Sequence, residues 1–332
     1  MEINIQELSK LKPMQTNLFK GDKIYSFNKG VDLITICKLS DVNFETPFAI
    51  DNKSLDLIKK LNKPNLEYSD NQLIIKDGKN KFKVKTFSAE IPSLDTKNLT
   101  KCNVNLGILK KARKFTSSKE TRPVLTSVCL KGNGNIYATD SFTMYAFESQ
   151  NNGEEKTSIN IPNVFIDMLE LKTDNDEIEI MFNSNCLLAI RDNITYISRL
   201  IAGDFPNLSR ILLSYKPNYI KFDFKEFVDK INFSKNIGCD KDNEGYIVCR
   251  FQNERLTCYG ANIYETEFDK IDYSNEYDVS IVIDFIDRLL SIIDKNKTNE
   301  LTIKINESFT NIEYKNENET IILTPIRKTY GD

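Results

Sequence analysis

Residues 165–171 read Phe-Ile-Asp-Met-Leu-Glu-Leu, and the apolar–acid pair Ile166-Asp167 within them decides the fold. Phe165, Ile166 and Leu169 have the spacing of one buried helix face. The strand-like alternation Glu177-Ile178-Glu179-Ile180 follows, and Pro206 closes the unit 40 positions after Ile166. The same order occurs twice more. Leu55-Asp56 leads to Pro92, 37 positions beyond Leu55, and Ile286-Asp287 leads to Pro325, 39 positions beyond Ile286. Such even spacing along 332 residues predicts three copies of one domain. Roughly 110 residues suit a small domain, not a solenoid repeat.

Each copy also has a front half. Phe224, Phe227, Val228 and Ile231 make an i, i+3, i+4, i+7 stripe, and Ile108, Ala112 and Phe115 repeat it, with Leu106 and Leu109 beside them. Residues 5–12 look helical until Pro13 interrupts. Strand patterns follow at 31–37, at 124–130 with 136–147, and at 245–251 with 255–265. Later strands alternate in period two, as in Phe82-Lys83-Val84-Lys85 and Leu301-Thr302-Ile303-Lys304-Ile305, which suits antiparallel sheets with one wet face. The fold class is therefore α+β. Three similar domains are expected at 1–96, 97–214 and 215–332, each an internally duplicated helix–strands unit.

Composition removes several chemistries. The chain has no histidine, so Ser-His-Asp and Cys-His catalysis and imidazole metal sites are excluded. Seven dispersed cysteines without a CxxC pair argue against a disulfide framework or structural zinc. No metal and no cofactor is expected. Gly132-Asn133-Gly134-Asn135 reads as a hairpin turn, not a phosphate loop. No apolar run could span a bilayer and the N-terminus lacks signal-peptide character, so a cytoplasmic protein without a membrane partner is expected. The net charge of −3 excludes a uniformly basic nucleic-acid binder but leaves room for a local basic surface.

Residues 110–119, Lys-Lys-Ala-Arg-Lys-Phe-Thr-Ser-Ser-Lys, supply that surface, with five bases and no acid. Lys110, Lys111, Arg113 and Lys114 lie on the helix whose apolar side is Ile108, Ala112 and Phe115. Lys59, Lys60 and Lys63 sit on the first copy's back helix, and Lys225, Lys230 and Lys235 on or just past the third copy's front helix. A single lysine is ordinarily a solvated residue. Recurrence on equivalent helices favours a phosphate-facing surface. The acids gather elsewhere, at Asp174, Asp176, Glu177 and Glu179, and at Asp240, Asp242 and Glu244.

The middle copy reads Glu120-Thr121-Arg122-Pro123-Val124-Leu125, then Ala138-Thr139-Asp140, then Ser198-Arg199-Leu200-Ile201 with Gly203-Asp204-Phe205-Pro206-Asn207-Leu208. These segments, with the ending Thr324-Pro325-Ile326-Arg327, resemble in order and spacing those of the bacterial DNA polymerase III beta subunit, the sliding clamp. The resemblance covers nearly the whole chain. It implies a non-enzymatic head-to-tail homodimer, each chain being half of a closed ring that encircles double-stranded DNA without base readout. It implies that DNA polymerase and clamp loader dock short linear motifs in a groove lined here by Leu125, Thr139, Met144, Leu213, Ile322, Thr324, Pro325, Ile326 and Arg327. The dimer contact would pair Phe82 and Val84 with Ile231 and Phe233 of the next copy, and Arg122 would join the DNA-binding bases. This chain departs from the family where Gly-His-Arg-Leu becomes Ser141-Phe142-Thr143-Met144, where Thr324 replaces methionine and where Leu213 replaces a frequent proline. A clamp-fold scaffold without a replication role is the alternative. An enzyme with Asp/Glu metal chemistry would need clustered carboxylates, and none sit beside Asp140.

Overall fold

The computed structural model describes residues 2–326 apart from 29, 31–32, 151–156, 174, 209–216, 239–245, 295–297 and 307–310. Asp174, Asp240, Asp242 and Glu244 thus lie outside the described residues. Two compact units form, Met1–Leu109 with Ile159–Ala202, and Lys110–Ser158 with Gly203–Asp332.

The first unit opens with a short helix α1 (Ile5–Leu8), capped by the Asn4 side chain, which accepts from the Gln6 N–H. The helix expected over 5–12 is thus only four residues long. Strands β1 (Thr16–Gly21), β2 (Lys23–Phe27), β3 (Leu33–Lys38) and β4 (Phe44–Ile50) follow, then α2 (Asn52–Lys59). Asp51 caps α2 by accepting from the Ser54 N–H at 2.7 Å, and Leu55 and Ile58 are its buried face. Next come β5 (Asn65–Ser69), β6 (Gln72–Asp77), β7 (Asn80–Lys85) and β8 (Thr100–Asn105). The chain returns to this unit with α4 (Asn163–Met168), β13 (Glu177–Phe182), β14 (Cys186–Arg191) and β15 (Ile194–Arg199). One eight-stranded antiparallel sheet runs β4-β1-β2-β3-β15-β14-β13-β8, with Ile34 opposite Ile197 where early and late strands meet. Strands β5-β6-β7 form a separate sheet. Phe19 stacks on Phe48 at 5.0 Å within the core.

The second unit receives the end of α3 (Leu106–Arg113), then β9 (Ser127–Lys131), β10 (Ile136–Thr139) and β11 (Thr143–Phe147). The Gly-rich tetrapeptide is the β9–β10 turn, with Gly134 at φ 86°, as a hairpin reading requires. Strand β12 (Ser158–Pro162) leads into α4. Later elements are β16 (Pro217–Asp223), α5 (Phe224–Phe233), β17 (Val248–Gln252), β18 (Arg255–Tyr259), β19 (Ile263–Glu267), β20 (Ile271–Tyr273), β21 (Asp278–Val282), α6 (Ile283–Leu290), β22 (Glu300–Asn306), β23 (Ile312–Lys315) and β24 (Glu319–Leu323). One sheet contains the order β9-β10-β11-β24-β23-β22-β16-β20, and another is β19-β18-β17-β21. Phe222, Phe227, Phe251 and Phe268 pack ring against ring inside this unit.

The apolar–acid pairs all fall on helices. Leu55, Ile166 and Ile286 are 0–1 % exposed, while Asp56 and Asp167 face solvent and Asp287 pairs with Lys235 at 2.7 Å. Two expected strands are each broken in two. Residues 136–147 divide into β10 and β11 because Asp140 draws the N–H groups of Phe142 and Thr143 onto its carboxylate, at 2.9 and 2.7 Å. Residues 255–265 divide at a turn in which the Gly260 N–H donates to the Asn262 carbonyl. The units also divide the 97–214 segment between them, because its strands β13–β15 extend the sheet of β3 while β11 joins β24.

Candidate partner groove and basic helices

The groove residues come from the second unit. Antiparallel pairing of β11 with β24 sets Met144 opposite Ile322, and both are 3 % exposed. Ala146 and Leu208 complete the cluster, with Tyr137 and Phe205 packed against it. Leu125 is buried on the 3-10 turn Pro123–Thr126. The Thr139 hydroxyl donates to the Thr143 carbonyl at 2.7 Å and accepts from the Ser141 N–H at 3.1 Å. Thr324, Pro325 and Ile326 are half-buried, anchored by the Thr324 N–H on the Phe142 carbonyl and the Ile326 N–H on the Ser280 carbonyl, at 2.9 and 2.8 Å. Leu213 and Arg327 lie outside the described residues. Phe205 and Leu208 were not expected here. Their segment reads as a plain turn, yet their apolar i, i+3 spacing was a signal. Gly203 begins that turn at φ 118°, where a Cβ would meet Val124 Cγ2 at 2.8 Å.

The turn between β10 and β11 is built around Asp140. Besides two N–H groups, its carboxylate accepts from the Thr143 hydroxyl at 3.0 Å and pairs with Arg288 of α6. Arg288 also donates to the Thr143 hydroxyl at 2.9 Å. The Phe142 ring, 55 % exposed, stacks on Phe285 with centroids 6.2 Å apart, and the Arg288 guanidinium lies 5.8 Å from the Phe285 ring.

The basic residues are less uniform than an exposed stripe. Leu109 and Ala112 of α3, with Phe115, are fully buried, while Ile108 is only half-buried. Lys110 is half-buried. Lys111 reaches both carboxylate oxygens of Glu319, at 2.9 and 3.1 Å, and the Tyr145 hydroxyl donates to the same carboxylate at 2.5 Å. Burial pushes the Glu319 carboxyl up, but bonds from Asn316, Tyr145 and Lys111 outweigh it and leave it below its ordinary value. Lys114 is exposed and donates to the Ser291 carbonyl and hydroxyl at 3.0 and 3.2 Å. Arg113 donates to Thr116 at 3.2 Å, and exposed Arg122 donates to the Ser141 hydroxyl at 3.1 Å. In the second unit, Lys225 pairs with Asp229 at 2.9 Å in solvent. Lys230 is mostly buried, 3.2 Å from Glu226 and 3.2 Å from the Thr266 hydroxyl. Lys111 and Lys230 are thus held by part-buried carboxylates, which corrects the picture of freely presented charges. In the first unit, Lys59 donates to the Leu11 carbonyl at 2.7 Å, and burial lowers its pKa; Lys60 caps α2 and is exposed.

The expected dimer residues also divide. Phe82 and Val84 are half-buried on β7, which among the described residues pairs with β6 alone and is a sheet edge. Phe233 is 43 % exposed and packs on Tyr264 at 5.0 Å. Ile231 is fully buried in its own unit, so it presents no face to another copy. Its place in the i, i+7 stripe already pointed inward.

Known proteins share this fold. Residues 108–207 match the family described as DNA polymerase III beta subunit, central domain. The Staphylococcus aureus beta sliding clamp is 27 % identical over 218 residues, 61 % of this chain and 56 % of that protein. Its Staphylococcus epidermidis counterpart is 31 % identical over 197 residues, 55 % of this chain and 51 % of that protein. The chain spans about half the length of these curated relatives. The crystal structure of the Pseudomonas aeruginosa DNA polymerase III subunit beta superposes with a TM-score of 0.79 at 16 % identity, over 98 % of this chain and 96 % of that one. The Bacillus subtilis DNA polymerase sliding clamp gives 0.77 at 16 % identity, covering 98 % of both chains. No helix among the described residues is long and apolar enough to cross a membrane. Residues 108–207 thus match the central domain of the DNA polymerase III beta-subunit family, and the chain as a whole shares the fold of solved beta-subunit structures.

Proposed function

We propose that the chain is a DNA sliding clamp, a non-catalytic cytoplasmic factor that closes head-to-tail with a second copy around double-stranded DNA. It tethers a replicative polymerase, and a clamp loader opens it; both bind by short linear motifs. Three domains, 1–96, 97–214 and 215–332, underlie the ring. Each contributes a front and a back helix, namely α1 and α2, α3 and α4, and α5 and α6, and this pairing supports the reading. The observation that carries the function is the half-buried segment Thr324-Pro325-Ile326, which continues β24 beyond the buried pair Met144 and Ile322 and whose residues the resemblance assigns to the groove. An apolar cluster flanked by a few polar groups suits a peptide motif.

The test is primer extension on a circular template with the cognate polymerase and loader. Added clamp should lengthen the products of a single binding event. Unchanged product length, with peptide binding intact, would mean a partner-binding scaffold outside replication.

A further inference from the structure

We propose that Cys249 and Cys258 are a dithiol that a hydroperoxide oxidises to a reversible disulfide.

Strand register makes partners of two residues that no sequence motif pairs. They lie directly opposite each other on β17 and β18, whose two-residue turn Asn253-Glu254 joins Gln252 to Arg255. In such a hairpin the closing pair, Gln252 and Arg255, exchanges both backbone bonds. Alternation from there makes Cys249 and Cys258 a pair without mutual backbone bonds, the kind whose Cα atoms approach to about 4.5 Å. That lies inside the range of roughly 4.4–6.8 Å that a disulfide bridges. The two sulfurs are 2.8 Å apart, and both residues are reduced and fully buried. Closing the bond therefore needs no rearrangement of the sheet.

The surroundings single out one sulfur as the nucleophile. The bond from Cys249 holds the Cys258 thiol below its ordinary value against the effect of burial, and Ser234, buried at the end of α5, adds to this. Burial acts unopposed enough elsewhere to push Cys37 up to about 12 and to raise Cys102 and Cys186. The thiolate is the reacting form. The Cys258 sulfur attacks one peroxide oxygen and the O–O bond breaks. Cys258 becomes a sulfenic acid, and the released hydroxide leaves as water with the thiol proton. The Cys249 sulfur then attacks the Cys258 sulfur, the S–O bond breaks, and the leaving hydroxide takes the Cys249 proton as a second water. Two electrons have passed from the thiols to the peroxide. A small dithiol reverses the bond by exchange. The row of side chains continues to Tyr264 of β19, which is opposite Cys258 and packs on Phe233 at 5.0 Å. The disulfide closes a short loop and so holds the hairpin on which that strand is laid.

The full chain should be treated with graded hydrogen peroxide in native buffer, quenched with catalase, alkylated and digested without reductant. Two of its seven thiols should be lost together. The intact mass should fall by about 2 Da, the two hydrogens removed, and the Cys249 peptide should be found linked to that of Cys258. Dithiothreitol should restore both thiols. The oxidised chain should have an unchanged circular dichroism spectrum and a higher urea midpoint. In Cys249→Ala, dimedone should label Cys258 after peroxide; in Cys258→Ala, it should leave Cys249 unlabelled. Both variants are compared at matched circular dichroism, and the linkage map of the wild type decides without them. A linkage that uses any other cysteine, oxidation that reaches Cys102 while the pair stays reduced, or a Cys249–Cys258 bond that forms only in urea would overturn the proposal. Dimedone on Cys249 in Cys258→Ala would overturn the assignment of the nucleophile.

Discussion

Glu319 shows how much one side chain ties together. It joins α3, through Lys111, to β11, through Tyr145, and to Asn316 in the turn before its own strand β24. Its pKa lies below the ordinary 4.5 because those donors outweigh the opposing effect of burial. A carboxyl with a lowered folded pKa stabilises fully above its unfolded value, and this is lost as pH falls through the folded value. Glu319→Gln should therefore cost about 1–3 kcal/mol near neutrality and flatten the decline in stability below the ordinary 4.5. Urea midpoints of both proteins at neutral and acid pH decide it; parallel declines would sink the idea. Gly203 offers a second residue-scale test. With φ at 118° and Val124 2.8 Å from a would-be Cβ, Gly203→Ala should destabilise by about 1–3 kcal/mol, read as a lower urea midpoint. The motif Gly-Asp-Phe-Pro was plain in the sequence, but the reason for its glycine lies on a distant turn.

At the scale of elements, α3 is the helix whose role the structure most changes. Its buried side was legible from apolar spacing. Its charged side was legible only as a set of residue types. Lys111 is committed to Glu319, so reversing it would disturb stability and obscure any change in DNA binding. The cleaner test keeps Lys111 and changes Lys110 and Lys114 to Glu. Binding to linear duplex DNA should weaken equally across sequences, and each lost phosphate contact should flatten the log–log salt dependence by about 0.9. Wild-type affinity and slope in the double variant would make that side a merely solvated face. The aromatic packing at the β10–β11 turn was hidden for a similar reason. Phe142 stood out as a departure, but only folding brought Phe285 and Arg288 beside it.

For the whole molecule, the proposal is a closed pair. Among the described residues, strand β7, which carries half-buried Phe82 and Val84, has an unpaired edge, and edges of this kind readily take another strand. A heterologous contact that closes after two copies makes a ring. Light scattering at micromolar concentration should give twice the 38.3 kDa chain mass. Lys83→Pro removes an outward-facing backbone donor at that edge and should shift the mass to one chain while leaving circular dichroism unchanged. A wild-type protein that is monomeric throughout would end the ring proposal.

The sequence by itself determined the α+β class, the recurring helices with their inward Leu55, Ile166 and Ile286, and the alternating strands. These follow from periods of 3.6 and 2, which record which face of each element is apolar and need no knowledge of its partner. Only the tertiary structure decided that β15 completes the sheet of β3, that β24 sets Ile322 against Met144, and that Glu319 neutralises Lys111. It also decided that Ile231 turns inward while Phe233 stays partly exposed. Each of these outcomes depends on pairing between residues far apart in the chain. Local periodicity says that a face must be covered, and strand register then chooses what covers it.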